Sequence, residues 1–353
     1  MSKRRGQDHD DNHGKRSRPA HRKHLYLIDP DDDESSRLPE PAALRVMEHL
    51  NSDTRVVAMG SDIVIVNGSC RCSDGEAKPT LAYDTAAAAL TVGPPLPGRL
   101  SGLLVAVADE EPTLYALTTL GDDMPVCFEA LSWGPSTRDD EPGLPRTHGW
   151  SWKSVASPLP TFDSEGDESI VAYAVHPDRN TVFVSSRGER LPDHDMATYS
   201  FDTKRGGPWR WHGAWVLPFQ GQGHFDSELD AWVGLDEESG RVCACQVPSR
   251  SGAAAEPPEL DRMKEKLFSK EGDGTHLGVS LMYAGDGKFC LVERVVSQDW
   301  EPGDAGRGQM VNVTVFGLKF NRWGELVTTN RRKVYSYAAP RYAPSFSPVA
   351  FWM

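Results

Sequence analysis

One pattern recurs along this chain: an apolar strand-like run, a tight polar turn, and a second apolar run. "GLLVAVADEEPTLYALTTL" has it around an acidic-Pro turn and "IVAYAVHPDRNTVFVSS" around His-Pro-Asp-Arg-Asn. "DAWVGLDEESGRVCACQV" has it around Glu-Ser-Gly, and "GVSLMYAGDGKFCLVERV" around Gly-Asp-Gly. "SDIVIVNGS" supplies a further apolar run. Such runs flanking turn residues are the signature of β-hairpins. They begin near Val56, Leu103, Ile170, Asp230 and Gly278, at spacings of roughly 47 to 67 residues, which is the period range of propeller blades. One four-stranded sheet cannot bury both of its faces, whereas sheets stacked around an axis bury each face on a neighbour. The chain has 32 Gly and 26 Pro, a content that suits many short strands joined by turns rather than a helical fold.

A second feature repeats inside that period. "LAYDTAAAALTVGPPLP" (81–97) and "ATYSFDTKRGGPWRWHGAWVLPF" (197–219) share an Asp-Thr turn followed by a strand ending in Leu-Pro. "GWSWKSVASPLPTF" (149–162) aligns with the latter, Trp150 and Trp152 matching Trp209 and Trp211. Tyr-Asp or Phe-Asp before a turn, then Trp, then Leu-Pro, resembles the second half of a kelch repeat, without the paired glycines that usually open one. From about residue 24 to 353 the chain also resembles a plant family of kelch-like propeller proteins with no assigned function. "HLYLID", "FDSELDAWVGLD" and the Leu-Pro strand ends carry that likeness. It implies an all-β propeller and no catalytic residues.

The expected fold is therefore a single all-β propeller over residues 25–353, of six blades, with five or seven left open. Five hairpins give five blades. Residues 25–47 and the C-terminal "SFSPVAFWM" are expected to make the sixth from the two chain ends. Trp209, Trp211 and Trp215 are expected to pack between blades, so that Trp211→Ala would cost about 3–5 kcal/mol. Lys204 and Arg205 lie in the turn and remain candidate contacts. "EPPELDRMKEKLFSKEG" (256–272) sets Leu260, Met263, Leu267 and Phe268 at helical spacing behind Pro257-Pro258. It predicts a short inserted helix over about 256–270, packed on the propeller or docking a partner. "RLPEPAALRVMEHL" (37–50) faintly resembles the opening of an F-box, but strand-like sequence follows too soon for the complete helical bundle.

Charge divides the chain. Residues 1–24 hold eight Lys/Arg against three Asp, a balance of +5, leaving −18 on the rest of a chain whose net charge is −13. That tail has no apolar periodicity and is expected to be disordered. Lys3, Arg4 and Arg5, then Lys15, Arg16 and Arg18, form two basic clusters about a polar spacer, the pattern of a bipartite nuclear-import signal that an importin would read. Its four histidines have no metal-site spacing. An acidic body argues against nucleic acid or an anionic membrane as its partner and for a protein with a basic surface. Without an apolar N-terminal stretch or an 18-residue apolar run, the expected location is intracellular, nuclear or cytoplasmic.

Chemical motifs are few. Cys70-Arg71-Cys72 and Cys243-Ala244-Cys245 lack zinc-knuckle spacing and lie far apart in sequence. In a strand, Cys243 and Cys245 share a face and read as packed side chains. "HFDSELDAW" (224–232) places Asp226, Glu228 and Asp230 at alternate positions behind His224. Extended, the three carboxylates face one way and suit a cation or acid/base work, or form a solvated acidic loop. No phosphate loop, dinucleotide fingerprint, nucleophile elbow or His-Glu-x-x-His occurs, so no catalytic residue, metal or cofactor is assigned. Three functions stay open. The leading one is a non-enzymatic protein-interaction scaffold. The second is an enzyme with a central-channel site, of hydrolase, lyase or oxidase type, built on His224, Asp226, Glu228 and Asp230. The third is a substrate-recognition subunit of a ubiquitin ligase without its own F-box.

Overall fold

The computed structural model describes residues 25–28, 54–67, 78–98, 102–108, 111–118, 127–135, 148–157, 168–188, 196–236, 238–251, 256–268, 276–296, 309–329, 332–338 and 349–352. Every regular element among them is a strand. The basic clusters of the tail, residues 29–47, and Cys70 and Cys72 lie outside the described residues.

After β1 (Leu25–Ile28), the first sheet runs β2 (Thr54–Met59), β3 (Asp62–Asn67), β4 (Thr80–Asp84), β5 (Ala89–Gly93). The second is β6 (Leu103–Val107), β7 (Thr113–Thr118), β8 (Cys127–Pro135), β9 (His148–Ser154). The third is β10 (Glu168–Val175), β11 (Thr181–Gly188), β12 (Met196–Asp202), β13 (Arg210–Gly213), and the fourth β14 (Gln220–Asp226), β15 (Ala231–Asp236), β16 (Arg241–Gln246), β17 (Leu260–Arg262). In the fifth, β18 (His276–Gly285) and β19 (Lys288–Val296) lead to β20 (Gln309–Phe320), which pairs with both β21 (Leu326–Thr328) and β22 (Lys333–Ala338). Neighbours within each sheet are antiparallel. β23 (Val349–Trp352) pairs antiparallel with β1, Leu25 opposite Trp352 and Ile28 opposite Val349.

Side-chain alternation explains how the sheets stack, because successive residues of a strand face opposite sides. Val64 and Val66 of β3 pack with Leu104, Leu114 and Leu131 of the second sheet. That sheet's other face presents Leu103, Leu117 and Phe128 to Val182, Val184 and Phe201 of the third. Phe183 turns from the third sheet to Trp232, Cys243 and Cys245 of the fourth. Val233, Leu235 and Val242 turn from the fourth to Leu281, Phe289 and Phe316 of the fifth. Each fully buried side chain of this size contributes about 1.5–3 kcal/mol over exposure. The first strands of successive sheets touch in turn, β2 with β6, β6 with β10, β10 with β14 and β14 with β18. β10 and β14 pair in parallel, joining the third and fourth sheets. These stacked antiparallel sheets, with their first strands in contact one after another, form a propeller-like all-β body.

The predicted helix over 256–270 is absent: among the described residues of that segment, Leu260–Arg262 is the edge strand β17, with Leu260 opposite Cys245. The amides of Met263 and Leu267 go on to bond the carbonyls of Val242 and Gly240, at 3.1 and 3.2 Å. The apolar residues are divided between two faces. Leu260 packs on the core toward the third sheet, while Met263, Leu267 and Phe268 enter the core toward the fifth. A helix would have put all four on one side, whereas running across β16 buries them on both and satisfies backbone donors at once.

Candidate functional site

β14 ends at Asp226, and the chain reverses through Ser227–Asp230 into β15. Asp226 is 1 % exposed. Its Oδ1 accepts the amides of Glu228 and Leu229, both at 2.9 Å, closing the turn. Its Oδ2 is buried and has no hydrogen-bond partner. Glu228 is exposed and reaches toward the next sheet. A Cβ built on Gly287 would lie 2.9 Å from Glu228 Oε2 and 3.8 Å from Asp226 Oδ2, so both carboxylates converge on that glycine.

Gly287 belongs to the β18–β19 turn, where Gly285, Asp286 and Gly287 have φ of 85, 51 and 64°, a left-handed run that glycine makes accessible. The Gly287 amide donates to the Tyr283 hydroxyl at 3.5 Å. Burial raises the Tyr283 phenol above its ordinary range, and the carboxylates of Asp226, Asp286 and Glu228 push it the same way.

The four residues expected to share a site therefore part. Asp226 and Glu228 come together, beside Tyr283 and Asp286. Asp230 is exposed, with φ 50°, at the far end of the turn. His224 Nε2 donates to the carbonyl of Leu281 on β18 at 2.9 Å, so the ring ties the fourth sheet to the fifth. Burial pushes its pKa down to about 4, leaving a neutral imidazole near pH 7. Among the described residues no group of three or more His, Cys, Asp or Glu side chains is arranged to hold a metal ion. Tyr283 and Asp286 were not predicted for this site, because "AGDGKFC" reads as a hairpin turn. Only the stacking of two hairpins about 60 residues apart makes them neighbours.

The tryptophan-rich stretch divides too. Trp209 packs on Phe128 and Phe201, with ring centroids at 5.5 and 5.3 Å, between the second and third sheets. Trp215 is 4 % exposed in the core between the third and fourth. Trp211, expected to be core, is 53 % exposed. β13 is the outermost strand of its sheet, so nothing described beyond it covers that side chain. Arg210 beside it is exposed, as are Lys204 and Arg205 in the preceding turn. The matching Trp150 and Trp152 of β9 are half-buried against the first sheet, donating to Thr91 Oγ1 at 2.9 Å and Thr80 Oγ1 at 3.2 Å. Trp133, opposite Trp150, is also exposed.

The cysteine reading holds for the described residues. Cys243 and Cys245 sit on one buried face, and burial raises both thiols, Cys243 to about 12. At that pKa they are inert packing groups.

A stacked-sheet, all-β protein with an acidic two-hairpin junction and exposed outer-strand aromatics is thus defined. Residues 22–337 match the family described as "Protein of unknown function (DUF1668)", and the chain belongs to it. No curated protein matches. Among solved structures, the chain is similar to the periplasmic gluconolactonase PpgL of Pseudomonas aeruginosa at 12 % identity, covering 90 % of this chain and 99 % of that one, with a TM-score of 0.43. It is similar to the β-propeller domain of Cps50 (Swd1) from Myceliophteria thermophila at 8 % identity, covering 79 % and 88 %, TM-score 0.32. A third match is the hydrazine synthase of Kuenenia stuttgartiensis, at 12 % identity, TM-score 0.34 and 76 % of this chain, which spans 62 % of that chain's length.

Proposed function

We propose that this protein is a non-enzymatic interaction scaffold, a six-bladed propeller whose ring closes through its two chain ends. Support for closure lies in the end sheets. Ile63, Ile65, Leu81 and Tyr83, on the face of the first sheet away from the second, are buried, although none belongs to the core clusters among the described residues. The fifth sheet also buries its far face, through Met282, Cys290, Val292 and Val313. The β1–β23 pair is the remaining described sheet, and β23 touches β18. A sixth blade between the first and fifth sheets accounts for all three observations.

The observation that carries the scaffold reading is Trp211. A half-exposed tryptophan beside exposed Arg210, on an outer strand whose neighbouring tryptophans are packed, combines the two side chains that most often anchor protein interfaces. An enzymatic reading draws less support, since His224 is occupied by a structural hydrogen bond and Asp230 stands apart from Asp226 and Glu228. The partner is a protein with a basic surface, in keeping with the −18 carried outside the tail. The tail, through Lys3, Arg4, Arg5, Lys15, Arg16 and Arg18, delivers it to the nucleus by importin.

The test is affinity capture with the full chain, with Trp211→Ala and with a version lacking residues 1–24, read by mass spectrometry. A specific protein retained by the first and third and lost by the second is the expected result. Identical recovery by the first two overturns the role of Trp211, and unchanged localisation of the third overturns the import signal.

A further inference from the structure

We propose that the facing hairpins of the fourth and fifth sheets bind a calcium-type divalent cation, held by Asp226 Oδ2 and Glu228 Oε2 and enclosed by Asp286. Two independent features point there. The first is the convergence of Asp226 and Glu228 on Gly287, where an added Cβ would lie 2.9 Å from Glu228 Oε2 and 3.8 Å from Asp226 Oδ2, so that glycine lets both carboxylates approach the turn. The second is the buried Asp226 Oδ2, for which no described residue offers a donor.

The electrostatics agree. A carboxylate removed from water is costly unless paired or bound to a metal. Elsewhere among the described residues, Asp178 and Asp236 take an arginine each, and Glu325 takes Lys264. Asp226, Glu228 and Asp286 surround Tyr283 together, and none of the three forms an ion pair. Among the described residues the local charge thus lacks a counter-ion, and a bound cation supplies one.

The donor set fixes the class of ion. Carboxylate oxygens are hard ligands, and among the described residues no imidazole or thiolate joins them, which favours a calcium-type over a zinc-type site. Calcium accepts 6–8 oxygens in irregular geometry, so two protein carboxylates, a third swung in from the exposed Asp286 turn, and water can serve. Two converged carboxylates alone do not make a complete cage, in keeping with the absence of any ready three-ligand group among the described residues. The expected affinity is therefore at the weak end for calcium sites, a Kd of about 10⁻⁴–10⁻³ M.

The experiment uses the full chain, stripped with chelator and titrated with calcium chloride at constant ionic strength. Binding is followed by calorimetry and by thermal melting. The wild type is expected to bind one calcium and to gain about 2–4 °C in Tm near saturation. Glu228→Gln, an exposed substitution that leaves the turn bonds intact, should weaken binding at least tenfold. Asp226→Asn keeps an oxygen for the Glu228 and Leu229 amides and should abolish binding. Glu238→Gln, an exposed change at the β15–β16 turn, should match the wild type. No heat and no Tm shift up to 10 mM calcium overturns the proposal, as does equal binding by the wild type and Glu228→Gln. The readout is ion binding, so its failure leaves the Trp211 interaction untouched, and the converse holds.

Discussion

Thr203 donates both its amide and its hydroxyl to the carbonyl of Asn180, each over 2.7 Å. Thr85 does the same to Ser61, at 3.0 and 2.8 Å. In both, the preceding aspartate, Asp202 or Asp84, accepts the two following turn amides. The Asp-Thr pair visible in the sequence is thus a repeated clamp. The aspartate closes the turn after a sheet's third strand, and the threonine staples that turn to the hairpin joining the first two strands. Thr203→Val keeps the shape and the amide bond and loses the hydroxyl bond. It should cost about 0.5–1.5 kcal/mol, read as a lower urea midpoint at unchanged m-value. Thr85→Val should behave alike.

Gly223 and Gly234 flank the Phe219 ring so closely that added Cβ atoms would lie 2.3 and 2.5 Å from it. Phe219 is itself buried, so the ring cannot step aside. Gly223→Ala should destabilise by about 1–3 kcal/mol. Combining it with Phe219→Leu should cost less than the sum of the two single changes. A strictly additive double-mutant cycle would show that the contact is absent.

Those glycines also explain what the sequence hid. Most hairpins were legible because apolar runs and turn residues alternate there. In the fourth sheet the legible pair was β15–β16, one strand late, because β14 reads "QGQGHFD" and looks like loop. Glycine there marks close approach of an aromatic ring rather than a break. The apolar spacing at 260–268 fits a helix, and only the open edge of β16 decided for a strand. Trp211 follows the periodicity of Trp209, but periodicity assigns a face and not what covers it. Asp226 and Glu228 were legible as a pair, whereas Asp286 and Tyr283 reach them only through sheet stacking.

Trp215 and Trp211 should separate cleanly in stability. Trp215→Ala removes a buried ring and should cost about 3–5 kcal/mol. Trp211→Ala should stay within about 1 kcal/mol of wild type, since its ring is half in water. Thermal melts of the two variants side by side decide it, and a large loss at Trp211 would place that ring in a core.

The neutral His224 makes stability sensitive to mild acid. Its pKa is about 4 when folded against an ordinary 6.5. As pH falls below 6.5 the unfolded chain takes the proton first, so stability present above 6.5 is lost down to about pH 4. The full effect is on the order of 3 kcal/mol. His176, lowered by its own burial, adds to the loss of stability as pH falls below 6.5. Asp178, held below 3.8 by hydrogen bonds despite its burial, stabilises throughout this window and loses that contribution only as pH falls below 3.8. The Tm drop from pH 7.5 to 5.0 should therefore be smaller in His224→Gln, whose amide can still donate to Leu281. Equal drops would mean that His224 titrates normally.

On the proposed scaffold function, Trp211 faces a partner. A photo-crosslinking amino acid placed at position 211 in cells tests it directly, with Glu238 as the control position. Discrete crosslinked protein species at 211 and none at 238 are predicted. No crosslinked species at 211, or the same species at both positions, would contradict it.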